Sequence, residues 1–134
     1  ICMYNDRIEM LQENTSTKLA EFENRQLTFT TIQLNNGIVL VEEISAGGYT
    51  ADTNINITNT ISSKSRQYVT KNVAKSIKTS DNKIAINFGT ELHIIDKNGI
   101  LLKKYISETE INDIVMTDAL VGIVYKDKIQ IINL

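Results

Sequence analysis

Histidine and cysteine are nearly missing from this 134-residue sequence, which has one of each, His93 and Cys2. A lone cysteine excludes an internal disulfide framework and a multi-cysteine zinc site within the chain. A lone histidine excludes the usual two- and three-histidine metal or catalytic clusters. Long apolar runs are missing too. The longest, over residues 37–41 and 119–125, fall far short of the roughly 20 residues a membrane-spanning helix needs. No signal peptide is visible, and because the sequence opens in strand-like residues this says nothing of compartment. Alanine, the best helix former, occurs only six times, and proline and tryptophan not at all. The remaining balance, 42% hydrophobic, 22% charged and net charge −2, is that of a globular chain rather than a disordered one. At this length the chain supports one modest core.

Isoleucine is the commonest residue and threonine is abundant. Both are β-branched, stiff at χ1 and suited to a pleated surface, so the expected fold is all-β. A faint internal repeat organises it. Residues 1–11 match residues 122–132, with Tyr, Asp and Ile identical, and residues 85–95 match the latter at a shift of 37. Ile77 and Asp81 match Ile114 and Asp118 at the same shift. Copies start at residues 1, 38, 84 and 121, the longer middle spacing being 37 plus an insertion of about nine residues at 45–53.

The best copy divides into strands at 73–79, 83–88, 91–96 and 100–105. Ser80-Asp81-Asn82, Gly89-Thr90 and Lys97-Asn98-Gly99 form the turns, with Asn-Gly supplying positive φ angles. Four antiparallel strands in about 37 residues is close to a propeller-blade period. The expected architecture is therefore a partial β-propeller. A partial blade spans 1–26, a blade with the inserted loop spans 27–72, a blade spans 73–110, and a partial blade spans 111–134. A small β-sandwich or barrel also places strands every 8–12 residues and is the alternative.

Residues 82–99, Leu102-Lys103-Lys104-Tyr105 and residues 121–129 resemble the C-terminal part of an uncharacterised family of bacterial β-propeller-like proteins, a domain of unknown function from Gram-positive organisms. The Asp-x-x-Gly turn before a hydrophobic strand ending in an aromatic is also similar to WD40-like and quinoprotein-like blades. The resemblance covers the last 60 or so residues well and the first 70 loosely. It implies a membrane-anchored, extracytoplasmic propeller, although the anchoring helix of that family is not among these residues. It brings no catalytic residue with it.

The chemistry-bearing residues are few. His93 stands between Leu92 and Ile94 in an alternating strand, opposite to both, and reads as an outward or cross-strand polar residue. Glu42 and Glu43 are adjacent in a strand and so face opposite sides, which prevents a cooperating acid–base pair. Asp6, Asp81, Asp118 and Asp127 recur in turns, where a short carboxylate caps backbone N–H groups. The Asp96-Lys97-Asn98-Gly99 loop carries a cation in its middle, unlike a calcium loop. Cys2 reads as a small buried hydrophobe. No catalytic residue, metal site or cofactor is expected.

Two surfaces remain as recognition candidates. The inserted loop offers Gly47, Gly48, Tyr49 and Asp52 on a rigid β scaffold, without the Lys-Ser/Thr and helix of a phosphate loop. Charge is the other. Residues 61–105 carry nine cations and three anions, against three and eight in 1–60 and two and five in 106–134. Lys64, Arg66, Lys71, Lys75 and Lys78 form a basic patch suited to an anionic polymer or membrane surface, or to a sheet edge guarded by lysine. Tyr68 is the one aromatic among them, so nucleic acid is not expected.

The functional expectation is a non-catalytic scaffold or recognition module for a protein or cell-envelope ligand. An active site carried on blades outside this chain is the alternative, and binding of an anionic polymer through the lysines a weaker one. Open blades are also expected to associate with neighbouring blades or with each other.

Overall fold

In a computed structural model, residues 2–3, 7–21, 28–34, 37–46, 50–59 and 64–134 are described. Among them there is no helix, and every strand pairing is antiparallel. The strands are β1 (Cys2–Met3), β2 (Arg7–Gln12), β3 (Thr15–Glu21), β4 (Thr28–Leu34), β5 (Gly37–Ala46), β6 (Thr50–Asn59) and β7 (Ser65–Thr70). They continue as β8 (Ser76–Thr79), β9 (Lys83–Asn87), β10 (Glu91–Asp96), β11 (Leu101–Ile106), β12 (Asp113–Met116), β13 (Leu120–Val124) and β14 (Ile129–Asn133). Each sheet is a meander of consecutive strands: β1–β3, β4–β7, β8–β11 and β12–β14.

Why the third sheet forms is written in its strands. Ile84-Ala85-Ile86 and Leu92-His93-Ile94-Ile95 are nearly continuous apolar runs, the pattern of strands covered on both faces. Alternation sends Ile84, Ile86 and Ile95 into one cluster with Ile55 and Ile57 of β6, bordered by Tyr68 and Phe88. Ala85, Leu92 and Ile94 enter a second cluster with Ile114, Val121, Ile123 and Tyr125. The third sheet thus lies between the second and the fourth, and each fully buried isoleucine contributes roughly 1.5–3 kcal/mol. On its outer strand β11, Lys103 and Lys104 are exposed, which blunts that edge against unwanted pairing.

Turn chemistry fixes the strand ends. Asp96 Oδ1 accepts the N–H groups of Asn98 and Ile100, both at 2.8 Å. Only Gly99 in this turn takes a positive φ, 77°, so the expected pair of left-handed residues at Asn98-Gly99 is corrected to one. The β10–β11 register shifts after Ile94, and the turn closes through Gly99 N–H to the Asp96 carbonyl as a longer loop. A Cβ on Gly99 would stand 3.3 Å from the Gln67 carbonyl oxygen, so glycine also lets this turn approach β7 of the second sheet.

The loop expected over residues 45–53 is largely ladder. Ser45 pairs with Ala51, Ile44 with Asp52 and Ala46 with Thr50. Residues added to both arms of a hairpin lengthen them together, so the insertion extends β5 and β6 without disturbing their register. Glu42 and Glu43 accordingly lie within a ten-residue strand.

Candidate functional site

His93 lies between sheets, not at the surface. Both faces of β10 are covered, so the residue opposite Leu92 and Ile94 is buried as they are, at 6% exposure. The Phe88 ring meets the imidazole edge-on, centroids 4.7 Å apart. Nδ1 is 2.7 Å from the Tyr68 hydroxyl and Nε2 is 3.2 Å from Glu91 Oε2. Glu91 in turn receives Lys104 Nζ at 2.8 Å and Asn72 Nδ2 at 3.2 Å. Burial depresses the basicity of His93 below the ordinary imidazole value, outweighing the pull of Glu91. Glu91 is held below the usual carboxylate range by its hydrogen bond from Lys104. Burial pushes the Tyr68 hydroxyl up. A carboxylate only accepts, so Nε2 carries the proton of the neutral ring and Nδ1 accepts from Tyr68. Every member has a partner, which makes the network a fixed cross-sheet link.

The next junction repeats the design 37 residues on. Tyr105 of β11 donates its hydroxyl to Gln130 Oε1 at 2.9 Å, and Tyr125 stands at the position of Phe88. Ser107 Oγ donates to the Tyr125 hydroxyl at 3.1 Å. Backbone bonds recur at the same shift. Lys75 N–H to Asn87 O, Ser80 N–H to Lys83 O, Phe88 N–H to Glu91 O and Lys97 N–H to Asn82 O have counterparts in Asn112 to Val124, Thr117 to Leu120, Tyr125 to Lys128 and Leu134 to Ala119.

A third polar link ties turns rather than strands. The Asp118 carboxylate accepts from Ser80 Oγ, from Asn82 N–H at 3.1 Å and from Asn82 Nδ2 at 2.9 Å, and these bonds hold its pKa below the usual carboxylate value. Asp118 was expected to cap its own turn. Thr117 Oγ1 does that instead, accepting from Ala119 and Leu120, and so frees the aspartate to reach the third sheet. Asp81 and Asp127 are exposed, and Asp6 lies outside the described residues.

Of the recognition candidates, Gly47, Gly48 and Tyr49 lie outside the described residues, and Asp52 is placed in β6 by its backbone. Lys64, Arg66, Lys71, Lys75 and Lys78 are all exposed. Lys75 is paired with Glu110, and Lys78 lies 3.7 Å from Asp113. Two of these cations therefore meet anions that follow the third sheet in the chain. Cys2 is half-buried with a free thiol. Among the described residues no three His, Cys, Asp or Glu side chains converge as metal ligands, and no helix is long and apolar enough to cross a membrane.

The sequence reading missed the partners of His93. In the sequence Tyr68 is a lone aromatic among cations, and nothing local joins it, Glu91 or Lys104 to His93. The available signal was the 37-residue shift itself, which pairs Tyr68 with Tyr105 and His93 with Gln130. Comparison with family models, curated proteins and solved structures finds no match to this chain.

Proposed function

We propose that the chain is a segment of a β-propeller-like stack that serves as a non-catalytic scaffold or recognition module. The observation that carries this reading is the recurrence of one junction design, tyrosine hydroxyl to a side chain on the next sheet, at a shift of 37 residues. Meandering sheets stacked face to face bury a continuous core and leave their connecting turns for recognition. The His93 network supports the non-catalytic part. Its imidazole is buried, neutral and engaged at both nitrogens, so it has no free lone pair to offer a substrate. By family resemblance the stack stands outside the cytoplasm on a membrane-anchored protein, where a protein or cell-envelope polymer is the ligand.

Accessibility of the imidazole tests this. His93 in the folded protein resists acylation by diethyl pyrocarbonate at pH 7, and reacts freely once the chain is unfolded in urea. Reaction of the folded protein at the rate of a free imidazole would overturn the non-catalytic reading.

A further inference from the structure

We propose that the outer face of the fourth sheet docks onto the first sheet of a second copy of this chain, head to tail. The inference rests on the stacked-sheet reading above and adds the contact surface and its occupant. Ile129 and Ile131 of β14 are 65% and 68% exposed, and Val115 and Leu120 join them on the same face. Between them runs an apolar groove of about 260 Å³. Gly122 forms its floor, and Val115 lies so close across it that a Cβ there would stand 2.8 Å from Val115 Cγ2.

The same face one sheet earlier shows what this surface is shaped for. Gly122, Ile129 and Ile131 stand 37 residues after Ala85, Leu92 and Ile94, which are at most 1% exposed because the fourth sheet covers them. The covering side chains include Ile123, with Ile132 packed at the border of the cluster. In the 121-residue match between the chain's two ends, Cys2 takes the place of Ile123 and Leu11 that of Ile132. Register agrees, since Cys2 pairs with Glu9 as Ile123 pairs with Gln130. Glu9 and Leu11 are two apart on β2, so Cys2, Glu9 and Leu11 share a face.

On that face Leu11 is 52% exposed, Cys2 half-buried and the Glu9 side chain 17% exposed. Its one carboxylate is already satisfied. Glu9 is held by Arg7 at 2.6 Å and Ser16 at 2.7 Å, so docking buries no unpaired charge. Cys2 and Leu11 thus offer Gly122, Ile129 and Ile131 the side-chain positions that Ile123 and Ile132 offer Ala85, Leu92 and Ile94.

Sedimentation velocity and disulfide trapping test the contact together. The unmodified chain is expected to form a concentration-dependent dimer, and Ile131→Lys to weaken it at least tenfold. Oxidised Ile131→Cys is expected to give a species crosslinked between Cys2 and the new cysteine, absent when Cys2→Ser is added. A chain monomeric at every concentration overturns the proposal. So does a crosslink that survives Cys2→Ser, which would mean that fourth sheets pair with each other. Methyl NOEs within one chain, Ile57 to Ile84 and Ile94 to Ile123, separate the two levels of argument. Their loss breaks the stacked-sheet reading itself, while their presence in a monomer breaks only the docking.

Discussion

The two junctions of the third sheet share one plan and differ first in the side chain that meets the tyrosine hydroxyl. At the first, Tyr68 meets His93 beside Phe88. At the second, Tyr105 meets Gln130 beside Tyr125. An amide satisfies the tyrosine hydroxyl without titrating and needs no charge behind it. An imidazole has a second nitrogen to satisfy, and Glu91 does so, backed by Lys104. At the position of Glu91 the second junction has Lys128, whose ammonium lies over the Tyr125 ring, 5.2 Å from its centroid. Packing of this kind does not require histidine. What histidine adds is a link between the junction and pH.

The largest test asks whether both junctions carry the fold. Ile86→Ala in the first and Ile94→Ala in the second each remove a fully buried side chain and should each cost about 2–5 kcal/mol in urea unfolding. Ile131→Ala, on the face matching that of Ile94 but open to solvent, should cost the monomer less than about 0.5 kcal/mol. Were Ile94→Ala as mild as Ile131→Ala, the fourth sheet would not be packed on the third. Were Ile86→Ala the mild one, the second sheet would be the detachable part.

How much of this was legible follows from what periodicity encodes. The all-β fold and the turns at Ser80-Asp81-Asn82, Gly89-Thr90 and Lys97–Gly99 could be read, because β-branched runs and turn residues act locally. The face that His93 presents to a neighbour could not. Alternation says which residues share a side, but not whether the opposite side is covered. Asp118 illustrates the same limit. Its place in a turn was legible, but its carboxylate reaches Asn82, and only the stacking of sheets brings those two turns together. The extension of β5 and β6 was hidden for another reason, since Gly47-Gly48 drew the whole insertion into a loop.

The second test exchanges the residue that distinguishes the junctions. Burial lowers the folded pKa of His93 below its unfolded value of about 6.5. The unfolded chain then binds the proton more readily, so the stabilisation is complete above about pH 6.5 and declines as pH falls through the folded pKa. Glu91 is shifted downward and stays ionised across this window, and the chain has no other histidine. The thermal midpoint should therefore fall between pH 7 and pH 5 beyond any carboxylate effect, and His93→Gln should flatten that slope. Gln130→His in the His93→Gln background should restore a slope at the second junction. An unchanged profile in His93→Gln would mean that the imidazole has the same proton affinity folded and unfolded.

The smallest expected effects separate the charges at the two junctions. Lys75–Glu110 crosses the second junction with both side chains largely in water, where solvent screens the attraction and ordering two long side chains offsets it. Glu110→Gln should leave the thermal midpoint unchanged within error and the pH profile untouched. Lys104–Glu91 is also partly exposed, but its carboxylate is a partner of a buried imidazole. Lys104 lowers the pKa of His93 by repulsion and keeps Glu91 acidic. Lys104→Gln should therefore move the imidazole titration upward in NMR spectra while shifting the midpoint at pH 7 only slightly. Equal effects of Glu110→Gln and Lys104→Gln on the midpoint, with no movement of the imidazole titration, would erase the electrostatic difference between the junctions and leave His93 a polar spacer no different in kind from Gln130.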